Sequence, residues 1–473
     1  MSKTELSNLL TLLEGSISVV HGKVELKDEN RLRTNIHRLA EVSALESGIR
    51  QGLARYLTRL ISLSLGIIPA SIHELYIAIG RGDVPASFTV PAMNLRAISF
   101  DAAKAVFRAA IPTDATAIIF EIARSEMNYT DQRPAEYVTN ILAAAIAEGY
   151  KGPVFIQGDH FQVSAKRFAS DADSEIQAIR ELIVEAIMAG FFNIDIDTST
   201  MVDLSKLTIP EQQATNIELS SMFTAYIRSI EPENVTISVG GEIGEVGGHN
   251  STEEELRAYM DGYNSKLEHL APETVGISKI SIQSGTSHGG VVLPDGSIAQ
   301  VSVDFDTIRK LSNISRKDYG LGGAVQHGAS TLPEGAFGEF VENQAVEIHL
   351  ATNFMNMLFD HLPTELRNQI YEYLDKKHGS ERKSGMTDEQ FYYKVRKNSV
   401  GPFKKQLWDL SIEVKTEIGT IWEEQFKKLF ELLKVGGTRR FTDQAIQLVP
   451  VLPDLDFYLG GQKLDEDTSD LAD

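Results

Sequence analysis

The chain has 473 residues, 42% of them hydrophobic, with a formal net charge of −21 and no cysteine. That is enough apolar material for one large domain with appendages; the missing cysteine excludes disulfides, thiolate ligands and a thiol nucleophile, so any metal must sit on histidine and carboxylate. The acidic balance argues against nucleic acid or an anionic membrane as partner, since each needs a basic face. The opening MSKTELSNLL lacks a basic stretch followed by an apolar core, and nowhere do about 18 apolar residues run together, so a cytoplasmic location is expected.

Residues 1–82 read as a helical extension. Leu9, Leu10, Leu12 and Leu13 share a face, and a second stripe runs through Leu53, Tyr56, Leu57, Leu60 and Leu63. Arg31, Arg33, His37 and Arg50 are expected to be solvated or ion-paired there. From Phe88 the texture changes to short apolar runs separated by helical stretches, which predicts repeated β-α units and a parallel sheet. Eight runs are countable: 88–93, 117–122, 154–157, 192–196, 235–240, 277–282, 321–326 and 345–350. Their spacing allows a helix between each pair, for example 101–110 after Ser99 as a cap, and 173–189. Eight such units close into an α/β fold of the (β/α)8, or TIM-barrel, type over residues 83–360. Helices packing on the barrel are expected over 361–440, including FYYKVRKNSVGPFKKQLWDL, where Arg396, Lys397 and Lys404 either snorkel at the surface or face a phosphate. An acidic, partly disordered tail is expected over 441–473.

A barrel places its chemistry at the C-terminal ends of its strands, and polar residues collect there. Glu121, Arg124, Ser125 and Glu126 follow the second run, Asp159 and His160 the third, and Asp195, Asp197 and Ser199 mark the fourth. Glu242, Glu245 and His249 follow the fifth, His288 and His327 the sixth and seventh, and His349 and Asn353 the eighth. In SGTSHGG and QHGAST a histidine is followed directly by glycine, which pairs an imidazole suited to a zinc-like ion with backbone N–H groups suited to phosphate. His160, His288 and His327 then make three ligands around a position open to substrate, with Glu242 a fourth ligand or an orienting acceptor. Such a site suits polarising the carbonyl of a phosphorylated ketose. Asp159, directly before a ligand, is placed to exchange a proton with a substrate hydroxyl.

These residues resemble the class II, zinc-dependent fructose-bisphosphate aldolases over about Val90 to Asn356. The matching pieces, in order, are VPAMN, the Asp159-His160 pair, IDIDTS at 194–199, GGEIGEVGG at 240–248, GTSHGG and QHGAST. The resemblance implies one zinc per subunit on His160, His288 and His327 with Glu242 near it, and a second, monovalent cation beside it. It implies Asp159 as the acid-base residue for the C4 hydroxyl, and a homodimer or homotetramer. Phosphorylated sugar would be held around Gly289, Gly328, Ser330, Ala351 and Thr352, with Arg124, His349 and Asn353 as further substrate-side residues. The implied reaction cleaves or forms the C3–C4 bond of a ketose bisphosphate through a metal-stabilised enediolate of dihydroxyacetone phosphate.

Departures from the family pattern leave alternatives open. Where members carry an acidic pair after Gly-Gly this chain has His249-Asn250, so that His249 or Glu245 takes over proton exchange on the enolising carbon, or the activity differs. The strand-eight N-I-D-T-D becomes His349-Leu350-Ala351-Thr352-Asn353 and loses two carboxylates. A zinc-dependent ketose or ketouronate epimerase on the same scaffold, or a non-catalytic aldolase-like subunit, are the alternatives. Lys279, inside the sixth run, offers a metal-free Schiff-base chemistry.

Overall fold

The computed structural model describes residues 3–20, 22–244, 249–285 and 303–460. It contains eleven strands: β1 (Ile17–Val20), β2 (Lys23–Leu26), β3 (Ile67–Ala70), β4 (Val90–Asn94), β5 (Ile119–Ala123), β6 (Gly152–Gln162), β7 (Asn193–Asp197), β8 (Ser238–Glu242), β9 (Lys279–Ile282), β10 (Ala324–Gln326) and β11 (Glu347–Leu350). Strands β4 to β11 pair in parallel with their sequence neighbours, β11 returns to pair with β4, and the sheet closes into an eight-stranded (β/α)8 barrel. All eight strands fall on the runs read from the sequence. Both faces of these strands are buried, because helices cover the outside and side chains fill the inside, polar ones such as Glu121, Gln157, Lys279 and Glu347 among them.

The helices between strands begin where side chains can satisfy their first N–H groups. Asp171 accepts from Ser174 N–H at the start of Ala172–Ala189, and Thr252 and Glu255 form a reciprocal capping box at Glu253–Leu270. Ser99 is not the cap expected of it. It is the first residue of the helix Ser99–Thr113, and its hydroxyl donates to Gln132 Oε1 at 2.6 Å.

The N-terminal stretch is not purely helical: β1 and β2 form an antiparallel hairpin, and β3 adds a ninth strand alongside the first residues of β6, before β7 takes over that edge. Four-residue strands are too short to show a period of two against a helical background. After β3, Ser71 Oγ accepts from Ser238 N–H, and the Asn193 side chain bonds Ile72 N–H and the carbonyls of Ala70 and Ile156. These contacts pin the helix His73–Arg81 across the end of the barrel where the strands begin. The approach is close: a Cβ on Gly80 would stand 2.3 Å from the Gly320 carbonyl oxygen.

The C-terminal helix Ile412–Leu432 packs on the barrel helices Ser99–Thr113 and Thr352–His361, while Thr364–His378 packs on the C-terminal segment 379–399 that follows it. Trp422 is buried and donates to the Phe354 carbonyl at 3.1 Å, while Arg108 pairs with Glu423 at 2.6 Å. Lys404 pairs with Glu136 at 2.8 Å, and Arg396 bonds Asn356. Residues 441–460, expected within a tail, are packed: Tyr458 is buried against the helix Gly48–Ser64, where its carbonyl leaves no room for a Cβ on Gly52. Apolar residues between Leu448 and Leu459 explain why, and the acidic residues that suggested a tail lie beyond 460, outside the described residues. No helix among the described residues is long and apolar enough to cross a membrane.

Candidate active site

The site is built around an irregularity in β6. The β6–β7 register shifts between Gly158 and Phe161, so Asp159 and His160 occupy a bulge, with His160 at φ 39°. A bulge re-aims side chains, and a histidine in the left-handed region is held there by its surroundings at some conformational cost. Gly158 makes the bend feasible, because a Cβ there would stand 2.3 Å from the ring of Phe161.

Three imidazoles meet at the strand ends, and each has one ring nitrogen anchored on a barrel oxygen. His160 Nδ1 lies 2.9 Å from Asp197 Oδ2 and 3.4 Å from Glu242 Oε2; His327 Nε2 is 3.0 Å from Ser281 Oγ; His349 Nε2 is 2.7 Å from Glu347 Oε1. Acceptors of this kind fix ring orientation in metal sites. The rings lie close and tilted, with centroids 4.3 Å apart at 41° for His160–His327 and 3.9 Å apart at 37° for His327–His349. Asp159 Oδ1 sits among their inner nitrogens, 3.2 Å from His349 Nδ1, 3.9 Å from His160 Nε2 and 4.0 Å from His327 Nδ1. Ligand atoms of His160, Glu242 and His327 lie within 4.8 Å of one another, as do those of Asp159, His327 and His349.

Electrostatics follow from burial among like charges. Burial, then Asp197 and Asp159, push the Glu242 carboxyl up to about 8 against the pull of His160. Burial and Asp159 likewise push Glu121 up to about 8. Asp159 goes the other way: burial raises it, but His160, His349 and His327 outweigh burial and hold it well below the usual carboxylate range. Asp159 is therefore a carboxylate at neutral pH, the state a proton acceptor needs.

A cavity opens beside this cluster, lined by Asp159, His327, Gly328, Ser330, Thr331, His349, Ala351 and Thr352, and by Asn94 at the end of β4 and Arg96 just after it. The expected phosphate-side residues Gly328, Ser330, Ala351 and Thr352 thus all line this cavity. Ala351 N–H donates to Ser330 Oγ at 2.6 Å, which ties the loop after β10 to the end of β11. Asn353, the second residue of the helix Thr352–His361, does not line the cavity.

Residues 85–406 match the family model for class-II fructose-bisphosphate aldolase. The chain belongs to that family. No curated protein matches it in sequence. Among solved structures, the chain is similar to the fructuronate-tagaturonate epimerase UxaE from Cohnella laeviribosi, with a TM-score of 0.53 and 11% identity over 89% of this chain and 90% of that one. It is also similar to the fructose-bisphosphate aldolase from Campylobacter jejuni (TM-score 0.46, 15% identity, 78% and 96% covered). The YdjI aldolase from Escherichia coli K12 is a further similar structure (TM-score 0.47, 12% identity, 78% and 99% covered).

Several residues expected in the aldolase site are placed elsewhere. Arg124 is buried in a two-pronged pair with Glu175, at 2.6 and 3.3 Å, and donates to the Gln162 carbonyl; it braces β6 and has no place at the substrate. His249 is exposed and bonds Glu255 Oε1 at 2.7 Å, at the start of the helix Glu253–Leu270 and apart from the buried cluster. Lys279 points into the barrel, where its ammonium donates to Gln157 at 2.7 Å, Asp195 at 2.9 Å and Glu347 at 2.5 Å. Burial lowers its pKa, but Asp195 and Glu347 outweigh burial and raise it, so the amine has no lone pair for a Schiff base. His288, Gly289 and Glu245 lie outside the described residues. The sequence reading missed Arg96, Glu347 and Tyr76. Arg96 follows a strand end and the rule applied elsewhere would have found it; Glu347 and Tyr76 carry no signal in an isolated sequence, because one sits within an apolar strand and the other in the terminal extension.

Proposed function

We propose that the chain is a zinc-dependent aldolase that cleaves or forms the C3–C4 bond of a ketose bisphosphate, with fructose 1,6-bisphosphate as the first candidate. The observation that carries this reading is the convergence of His160, Glu242 and His327 at one point beside the ionised Asp159. Two imidazoles and a carboxylate, each steadied from behind, fit a borderline dication such as zinc, and His288 is the further ligand implied by the family's motif. When bound, such an ion supplies an electrophile that polarises a ketone carbonyl.

The chain's own residues do the rest. Asp159, ionised within the cluster, accepts the proton of the C4 hydroxyl as the C3–C4 bond breaks and returns it in the reverse direction. Gly328, Ser330 and Thr352 hold the phosphate next to the reacting carbons, and Arg96, paired with Glu126 at 2.6 Å, also lines the cavity. The cluster is buried, which keeps bulk water from the enolised fragment.

The test compares metal-free and zinc-loaded protein on fructose and tagatose bisphosphates, with release of dihydroxyacetone phosphate as the readout. Zinc is expected to restore cleavage, and equally poor cleavage in both forms rejects the assignment. A second reading, epimerisation of a ketose or ketouronate by the same bond chemistry without fragment release, draws on His349 and Ala351, which line the cavity where the family pattern has a strand-eight Asn and Asp. Incubation in heavy water that yields epimers and no triose would favour it.

A further inference from the structure

The floor of the active site is held from the N-terminal extension. Tyr76, on the helix His73–Arg81, is fully buried and donates its hydroxyl proton to Glu347 Oε2. It reaches that far because the helix lies close on the barrel's lower mouth, where a Cβ on Gly322 would stand 2.9 Å from Tyr76 Cβ. The other oxygen of the same carboxylate carries three donors, Lys279 Nζ at 2.5 Å, His349 Nε2 at 2.7 Å and Gln157 Nε2 at 3.0 Å. Among the described residues Tyr76 alone donates to Oε2.

Glu347 and His349 lie two apart on β11, so both side chains point to the same face, one layer above the other. The carboxyl and imidazole planes turn about broad terminal torsions that no rotamer preference fixes. Three donors on Oε1 let the carboxylate swing about that oxygen, and the tyrosine on Oε2 stops it. A stopped carboxylate holds the ring of His349. Its other nitrogen, Nδ1, then stands 3.0 Å from Glu121 Oε2 and 3.2 Å from Asp159 Oδ1 beside the cavity. Of the three imidazoles around Asp159 Oδ1, this one presents the nearest nitrogen.

We propose that Tyr76 is a positioning residue of the active site: its hydroxyl fixes the Glu347 carboxylate, which aims His349 and through it Asp159. The proposal rests on the role given above to Asp159 as proton acceptor in C3–C4 cleavage. Removing the hydroxyl leaves the phosphate-side residues in place, so it slows the chemical step without weakening binding. A misplacement of ~1 Å at the reacting groups is worth about 100-fold.

Zinc-loaded full-length wild type, Tyr76→Phe, His349→Asn and the double variant are compared on fructose 1,6-bisphosphate, with zinc content and far-UV circular dichroism as controls. The expected result is a kcat roughly 10- to 100-fold lower in Tyr76→Phe at an unchanged KM, and no further loss when Tyr76→Phe is added to His349→Asn. A kcat within about twofold of wild type, a loss carried by KM, or the same loss in both backgrounds overturns the proposal, since a hydroxyl that only stabilises the fold acts independently of His349. A second readout needs no turnover. The His349 Nε2–H proton, assigned in the NMR spectrum by its absence from His349→Asn, is expected to shift in Tyr76→Phe; an unmoved signal, or none in wild type, overturns the proposal. If wild type cleaves no bisphosphate, the function reading fails and this signal alone decides the role of Tyr76.

Discussion

The two ends of the barrel solve the same electrostatic problem in opposite ways. Where the strands begin, Lys279 spends all three ammonium hydrogens on Gln157, Asp195 and Glu347, Tyr76 reaches in from the N-terminal helix to donate to Glu347, and the buried charges are paired, although Asp195 Oδ1 and His73 Nδ1 have no hydrogen bond. Lys279 and His349 hold Glu347 down to about 2 against burial, which raises it. Where the strands end, His349 Nδ1 is shared between Glu121 Oε2 at 3.0 Å and Asp159 Oδ1 at 3.2 Å, Glu121 Oε1 is buried without a hydrogen bond, and Glu121 and Glu242 are pushed up to about 8. One end is finished by the protein itself. The other waits for a ligand, and the difference separates groups that stabilise from groups that react.

Substitutions at the two ends should therefore fail in different ways. Asp159→Asn removes the acceptor at the reactive end and is expected to lower bisphosphate cleavage by roughly 100- to 10,000-fold, with the far-UV spectrum unchanged. If kcat falls less than tenfold, Asp159 is not the proton acceptor. Lys279→Met removes the cation at the other end and strands Asp195 and Glu347 in the interior, so urea denaturation should show a loss of about 3–5 kcal/mol. A loss under 1 kcal/mol would mean that the lower network takes up protons or water easily. Tyr76→Phe takes away one hydrogen bond to Glu347 and should cost about 1.5–3 kcal/mol, without changing metal content.

The barrel was legible because its signal repeats. Eight runs such as 117–122 and 192–196 recur with helical spacers, and closing the sheet makes each strand's position depend on its neighbours. The reactive end was legible in part, since Asp159, His160, His327 and Glu242 stand at strand termini where position alone implies exposure to a ligand. Arg124 stands at a terminus too, but its partner Glu175 is 51 residues away on another helix, and no local pattern announces that pair. Glu347 was illegible for the converse reason. A carboxylate in an apolar strand looks like an outward-facing residue, and only the fold shows Lys279, Tyr76 and His349 converging on it.

The closed end also makes a prediction about pH. His73 is the first residue of the helix that covers it, 3% exposed, with no hydrogen bond to Nδ1. Burial first, then Arg228 and Arg81, push its pKa down to about 3, whereas in the unfolded chain it is about 6.5. Above pH ~6.5 neither state holds the proton and His73 adds no pH dependence. As pH falls from there toward 3, the unfolded chain binds a proton that the folded chain refuses, so stability drops by up to ~1.4 kcal/mol per pH unit. His73→Phe removes the titrating group. Urea midpoints of the two proteins at pH 7.5 and pH 5.0 should converge or cross, with wild type losing about 2 kcal/mol relative to the variant. A difference that stays constant across that range would mean that His73 meets water when folded, and that the barrel's lower end is not sealed by its N-terminal helix.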